Sequence, residues 1–166
     1  MKTSVLQLSY YFVTELNVTA NRKHDPKQPI TLTDENLAVK LDVLGQKDDA
    51  RRWQATLRIH QQGGPATNPP YFFTVELVGM FSVATSYPLD KAEWMVRTNA
   101  SSVLYSTARE VLRSAMAQGP FCPMLLPTVS FYTPDTKKLL DAAKAKSRRP
   151  SQLPSAGKRS RVTGFD

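Results

Sequence analysis

An α+β fold is what this chain predicts: a four-stranded antiparallel sheet, arranged as a meander, with a long helix and a short C-terminal helix packed on it. Period-two alternation of apolar residues recurs in four stretches before residue 84, and turn-rich segments separate the stretches. Helical periodicity begins only after the fourth stretch, near Ala100. Parallel pairing would require crossover helices between strands, so four consecutive strands without them pair antiparallel.

Each element has its own signal. In the first stretch Leu6, Leu8, Tyr10, Phe12, Leu16 and Val18 share one parity, broken only at Thr14, the mark of a strand with one buried face. HDPKQP, His24 to Pro29, is the connector. Leu37, Val39, Leu41 and Val43 alternate with Lys40 and Asp42 in the second strand. Trp53, Ala55, Leu57 and Ile59 alternate with Arg52, Gln54, Arg58 and His60 in the third. QQGGPATNPP then leads into the fourth and most apolar strand, Tyr71 to Val83. Phe73, Val75, Leu77 and Phe81 lie on one of its faces and Phe72, Val78 and Met80 on the other, so both need cover.

After Pro88, Asp90 and Glu93 have the spacing of a capping pair, and a helix is expected over about Ala100 to Gln118. Its stripe of Ala100, Val103, Leu104, Thr107, Ala108, Val111, Leu112 and Ala115 faces the sheet. Ser101, Ser102, Tyr105, Arg109 and Arg113 take the other side, and Gly119 with Pro120 stops the helix. A second helix is expected from Thr133, Pro134 and Asp135, an N-cap with proline in the first turn, to about Lys146.

At 166 residues and 41% hydrophobic content the chain suits one domain with its own core, residues 1–146. Residues 147–166 form a tail too poor in apolar side chains to offset the entropy of ordering, and disorder is expected there. The formal charge of +8 is lopsided. Nine Lys and Arg residues lie from Lys137 onward against Asp141 and Asp166, which leaves thirteen cations against twelve anions in residues 1–136. The domain is near neutral, and any nucleic-acid binding rests on the tail. Such binding would be salt-sensitive and blind to sequence, with Phe165 as the tail's only aromatic for stacking.

One cysteine, Cys122, excludes an intrachain disulfide and fits a reducing cytoplasm. The first residues alternate where a signal peptide would run continuously apolar, and no stretch approaches the roughly 20 apolar residues that span a bilayer, so no membrane insertion is expected. Catalytic chemistry finds few candidates. His24 and His60 lack metal-ligand spacing to each other or to Cys122, and Cys122 beside Phe121 and Pro123 reads as a small packing residue. The acidic pairs Asp34 with Glu35 and Asp48 with Asp49 sit in turns, and Gly63 begins no phosphate loop. No catalytic residue, metal or cofactor is expected, and the chain does not read as an enzyme.

What remains is a stretch from Gly119 to Phe131, GPFCPMLLPTVSF, in which prolines prevent regular folding around Phe121, Met124, Leu125, Leu126, Val129 and Phe131. Apolar side chains on such a loop must meet something, and a surface for apolar partners is the expectation.

This order of elements resembles the SecB family of export chaperones, and particular residues carry the resemblance. Gly79, Met80, Phe81, Ser82 and Val83 match the close of the family's fourth strand, and Val39 to Val43, VKLDV, its second. Tyr105 followed by Ala108, Arg109 and Glu110 matches the helix; Gly119, Phe121, Pro123, Leu126, Pro127, Val129 and Phe131 match the crossover loop. The resemblance spans about Leu6 to Lys146. It implies a cytoplasmic homotetramer, a dimer of dimers, that holds unfolded or precursor proteins in apolar grooves without ATP and passes them to the SecA motor. The client-binding residues it implies are Met80, Phe81, Phe121, Met124, Leu125, Leu126, Phe131 and Tyr132, with Ser101, Ser102, Tyr105 and Arg109 at subunit contacts. The pattern departs from the family at its docking surface: the domain is neutral, the tail is basic, and strands three and four offer only Glu76 beside Arg52 and Arg58. That sets SecA apart from the other implied partners. SecB-like proteins dedicated to one partner, such as the antitoxin of a toxin-antitoxin system, keep the groove without needing an acidic docking surface.

Overall fold

The computed structural model describes residues 3–30, 36–61, 63, 68–132, 137–138 and 141. Strands β1 (Leu6–Ala20), β2 (Leu37–Gly45), β3 (Arg52–Gln61) and β4 (Tyr71–Val83) form one antiparallel sheet, and helix α1 (Ala92–Met116) packs across a single face of it. The α+β expectation holds. The meander covers only β2, β3 and β4, because the strand order is β1-β4-β3-β2 and β1 lies beyond β4 instead of beside β2. The chain between Ala20 and Leu37 is far longer than a hairpin turn needs, so β1 is free to reach the far edge. Alternation reports which face a side chain takes; it carries no information on which strand lies alongside.

On the helix side, Phe73, Val75, Leu77 and Phe81 of β4 join Ala55, Leu57 and Ile59 of β3 and Leu37 and Val43 of β2 in the core. Helix α1 is one element of 25 residues, starting earlier than its apolar stripe suggests, behind a short 3-10 turn at Leu89–Lys91. No side chain caps either start, so Asp90 and Glu93 do not act as a capping pair. Ala92, Val96, Ala100, Leu104, Ala108, Leu112 and Met116, spaced by four, are the buried side, and the alanines let the helix backbone approach the sheet. Opposite Leu104 stands Gly79, where an added Cβ would lie 2.8 Å from the leucine's Cδ2. The missing side chain is the socket. Val103, expected to face the sheet, is exposed. The expected second helix and the domain boundary at Lys146 fall largely outside the described residues, of which Lys137, Lys138 and Asp141 have helical backbone.

Strand β1 contains two bulges, where Ser9 and Thr14 are left without partners on β4. Each bulge shifts the parity by one. Leu6, Leu8, Leu16 and Val18 therefore face the helix side with β4's Val83, Phe81, Val75 and Phe73, while Tyr10 and Phe12 pair with Met80 and Val78 and face outward. Tyr11 and Val13 take the helix side in their place. The single-parity reading of the strand fails at Tyr10 and Phe12 for that reason.

Candidate functional site

The segment following α1 is held at two tyrosines. The Tyr71 hydroxyl lies 2.6 Å from the Phe121 carbonyl and 3.1 Å from that of Met116, and it accepts the Phe121 N–H at 2.8 Å. Gly119 makes the approach possible, since an added Cβ there would sit 2.6 Å from the same oxygen. Farther on, the Tyr105 hydroxyl donates to the Pro127 carbonyl at 2.8 Å, and its ring meets Phe131 edge-on with centroids 5.8 Å apart. Burial pushes the Tyr105 phenol up, against the pull of Arg109. Proline-restricted backbone with its polar groups satisfied at these clasps needs no helix or strand to keep its shape.

Between the clasps the side chains divide. Met124 and Leu126 enter the core, Phe121 and Phe131 are half-buried, and Leu125 and Tyr132 stand out at 66% and 52% exposure. Phe121 is wedged edge-on between Tyr71 and His24, with centroids 5.9 and 5.0 Å away. Cys122 is exposed, contrary to its reading as a packing residue: Phe121 turns inward and its neighbour is left in solvent.

Not all of the expected contact residues are brought together. Phe81 is a core residue, and Met80 beside it points through the opposite face of the sheet, since successive strand residues alternate. The two cannot both lie beneath the loop. Met124 and Leu126 are closed off by the chain itself. Among the expected subunit-contact residues, Ser101 and Tyr105 are likewise buried within this chain, Arg109 is half-buried and only Ser102 is exposed. The segment from Phe121 to Phe131 covers the side of α1 that the helix pattern alone leaves free.

The outer face of the sheet has its own chemistry. Arg58 bridges Glu15 at 2.5 Å and Glu76 at 3.1 Å, and Thr14 donates to Glu76 at 2.8 Å. The Thr14 hydroxyl, then the Arg58 guanidinium, hold the Glu76 carboxyl below its ordinary range. His60 contacts Thr74 at 2.7 Å, and His24 Nδ1 lies 3.0 Å from the Asn68 carbonyl, so each histidine has a structural partner. Sequence reasoning missed the exposed aromatics of β1. The available signal was the run of four consecutive large apolar residues, Tyr10 to Val13, which no strand with one buried face accommodates.

One helix laid across an antiparallel sheet, with a pinned apolar crossover segment, defines an α+β protein of the SecB-like fold. A family model described as preprotein translocase subunit SecB matches residues 3–135, and the chain belongs to the SecB family. Among solved structures, the Mycobacterium tuberculosis SecB-like chaperone Rv1957, in complex with a ChAD peptide from the Rv1956 HigA1 antitoxin, is similar in fold. That match has a TM-score of 0.58 and 14% identity, covering 75% of this chain and 90% of that one. A Streptococcus agalactiae protein of unknown function is 10% identical, with a TM-score of 0.42 over 74% of this chain and 97% of that one. No curated protein matches the sequence.

Proposed function

We propose that this protein is an ATP-independent holdase that keeps unfolded segments of other proteins from aggregating. One observation carries the reading: Leu125 and Tyr132 project into solvent from a segment whose polar backbone is clasped by Tyr71 and Tyr105. Clients held there meet apolar side chains without a sequence-specific pocket, which suits segments of many sequences. Half-buried Phe121 and Phe131 extend the contact surface. Export precursors are the first client class. A single dedicated partner is the second, supported by the antitoxin peptide bound to the M. tuberculosis protein of like fold. Glu15 and Glu76 are both engaged by Arg58, which argues against a carboxylate docking surface for SecA.

Assembly into a homotetramer is part of the proposal. Among the described residues β1 pairs only with β4, which leaves its other edge without a strand partner there, with Tyr11, Val13 and Leu16 exposed beside it. That edge, with Ser102 and Val103 on the exposed side of α1, is the surface we assign to subunit contact. A cytoplasmic location fits the proposal, and no helix among the described residues is long and apolar enough to cross a membrane.

The test is aggregation of a chemically unfolded client, with and without the protein and without nucleotide, with the oligomer's mass measured in parallel. Suppression by a tetramer supports the reading. A folded protein that suppresses nothing overturns general holdase action. A different class of function, nucleic-acid binding through the tail, draws on the charge imbalance alone. Deleting the residues after Lys146 separates the two, since holdase action should survive and salt-sensitive nucleic-acid binding should not.

A further inference from the structure

Strand register places side chains in rows across the outer face of the sheet, away from α1. Leu44, Gln54, Met80 and Tyr10 form one row, and Asp42, Thr56, Val78 and Phe12 the next. Leu44 is 64% exposed, Tyr10 58% and Phe12 47%, with Met80 half-buried between them. An apolar band therefore runs from Tyr10 and Phe12 of β1 over Met80 and Val78 of β4, is interrupted on β3 by Gln54 and Thr56, and ends at Leu44 on β2. Its aromatic end exists because of the bulges at Ser9 and Thr14. Without them Tyr10 and Phe12 would share the parity of Leu6 and Leu8 and face the helix side. Bulges commonly re-aim side chains at functional positions, and here two of them bracket four residues.

The borders of the band differ in charge. On one side the row Lys40, Arg58, Glu76 and Glu15 is balanced, with Arg58 engaged by both glutamates. On the other side a cleft beside Tyr10 and Met80 is lined by Ser9, Gln46, Arg52 and Ser82. A guanidinium, two hydroxyls and an amide there supply hydrogen-bond donors around one small space, the chemistry that receives a carboxylate. Arg52 meets Asp49 at 3.3 Å with both groups well exposed, a contact weak enough to exchange.

We propose that this outer face is a second docking site, distinct from the loop surface, for a short partner segment that presents apolar side chains next to an Asp or Glu. The apolar side chains lie on Leu44, Met80, Tyr10 and Phe12, and the carboxylate enters the Arg52 cleft. The proposal does not rest on the holdase reading, because the two surfaces lie on opposite faces of the sheet.

The probe is a fluorescein-labelled peptide carrying Leu and Phe with one adjacent Asp, compared with the same peptide carrying Asn, titrated by fluorescence anisotropy against the full chain. Binding of the Asp peptide about tenfold tighter than the Asn peptide is expected, the size of one charge-assisted contact. Arg52→Gln should erase that preference, and Tyr10→Ser should weaken both peptides. Leu125→Ser, on the loop, should leave the preference for the Asp peptide intact. Leu44→Ser repeats the Tyr10 test at the far end of the band, and thermal melting by circular dichroism checks that each variant folds. Absent binding to the wild type, a preference that survives Arg52→Gln, or loss with Leu125→Ser but not with Tyr10→Ser and Leu44→Ser overturns the proposal.

Discussion

The two faces of the sheet begin from similar material and end differently. Strand β4 carries large apolar residues on both: Phe73, Val75, Leu77 and Phe81 toward α1, and Phe72, Val78 and Met80 away from it. The first set is closed by the helix and the clasped segment after it, while the second shares its surface with Tyr10, Phe12 and Leu44 in solvent. Apolar content does not by itself decide burial here. A face is closed where the chain has a connected element to lay over it.

The largest effect should come from breaking the closed face. Leu126→Asp places a carboxylate in the core and should cost about 4 kcal/mol or more, enough to unfold a marginal domain in a denaturant titration. Leu126 thus belongs to the fold rather than to a contact surface. Next, Tyr71→Phe removes the hydroxyl that serves Phe121 and Met116 and should cost about 1–3 kcal/mol, with faster amide hydrogen exchange at Phe121. Gly79→Ala should cost a similar ~1–3 kcal/mol by pushing Leu104 off the sheet, measurable as a lower urea midpoint.

The exposed residues sharpen the contrast. Leu125→Asp with Tyr132→Asp should change stability by only about 0.5 kcal/mol, yet reduce suppression of client aggregation severalfold. Equal activity in that variant would remove the loop from the client surface. The smallest effect concerns pH. Glu76 is held below its ordinary value of 4.5, so its stabilising contribution is complete above that value and is lost as pH falls through the lowered one. Thr14→Val removes the first cause of that shift, and an NMR titration should then find Glu76 closer to 4.5.

Much of the fold was legible. Strand positions followed from alternation, and the clasped segment was marked by its prolines and its clustered apolar residues. The expected contact set was legible only in part. Leu125 and Tyr132 face solvent as expected, whereas Phe81, Met124 and Leu126 have the composition of a contact surface and the placement of a core. Nothing local distinguishes Leu125 from Leu126. Their separation depends on which way a segment fixed by Tyr71 and Tyr105 turns, and those tyrosines lie at a distance in the chain.

By itself the sequence determined the strand and helix types, the gathering of positive charge after residue 136, and the SecB resemblance, because periodicity, charge and short motifs are local properties. Tertiary structure alone decided that β1 lies beside β4, that two bulges turn Tyr10 and Phe12 outward, and that Ser101 and Tyr105 are covered by their own chain. Pairing, register and cover are set by contacts between residues far apart in sequence, and a period of two reads the same whichever strand lies alongside.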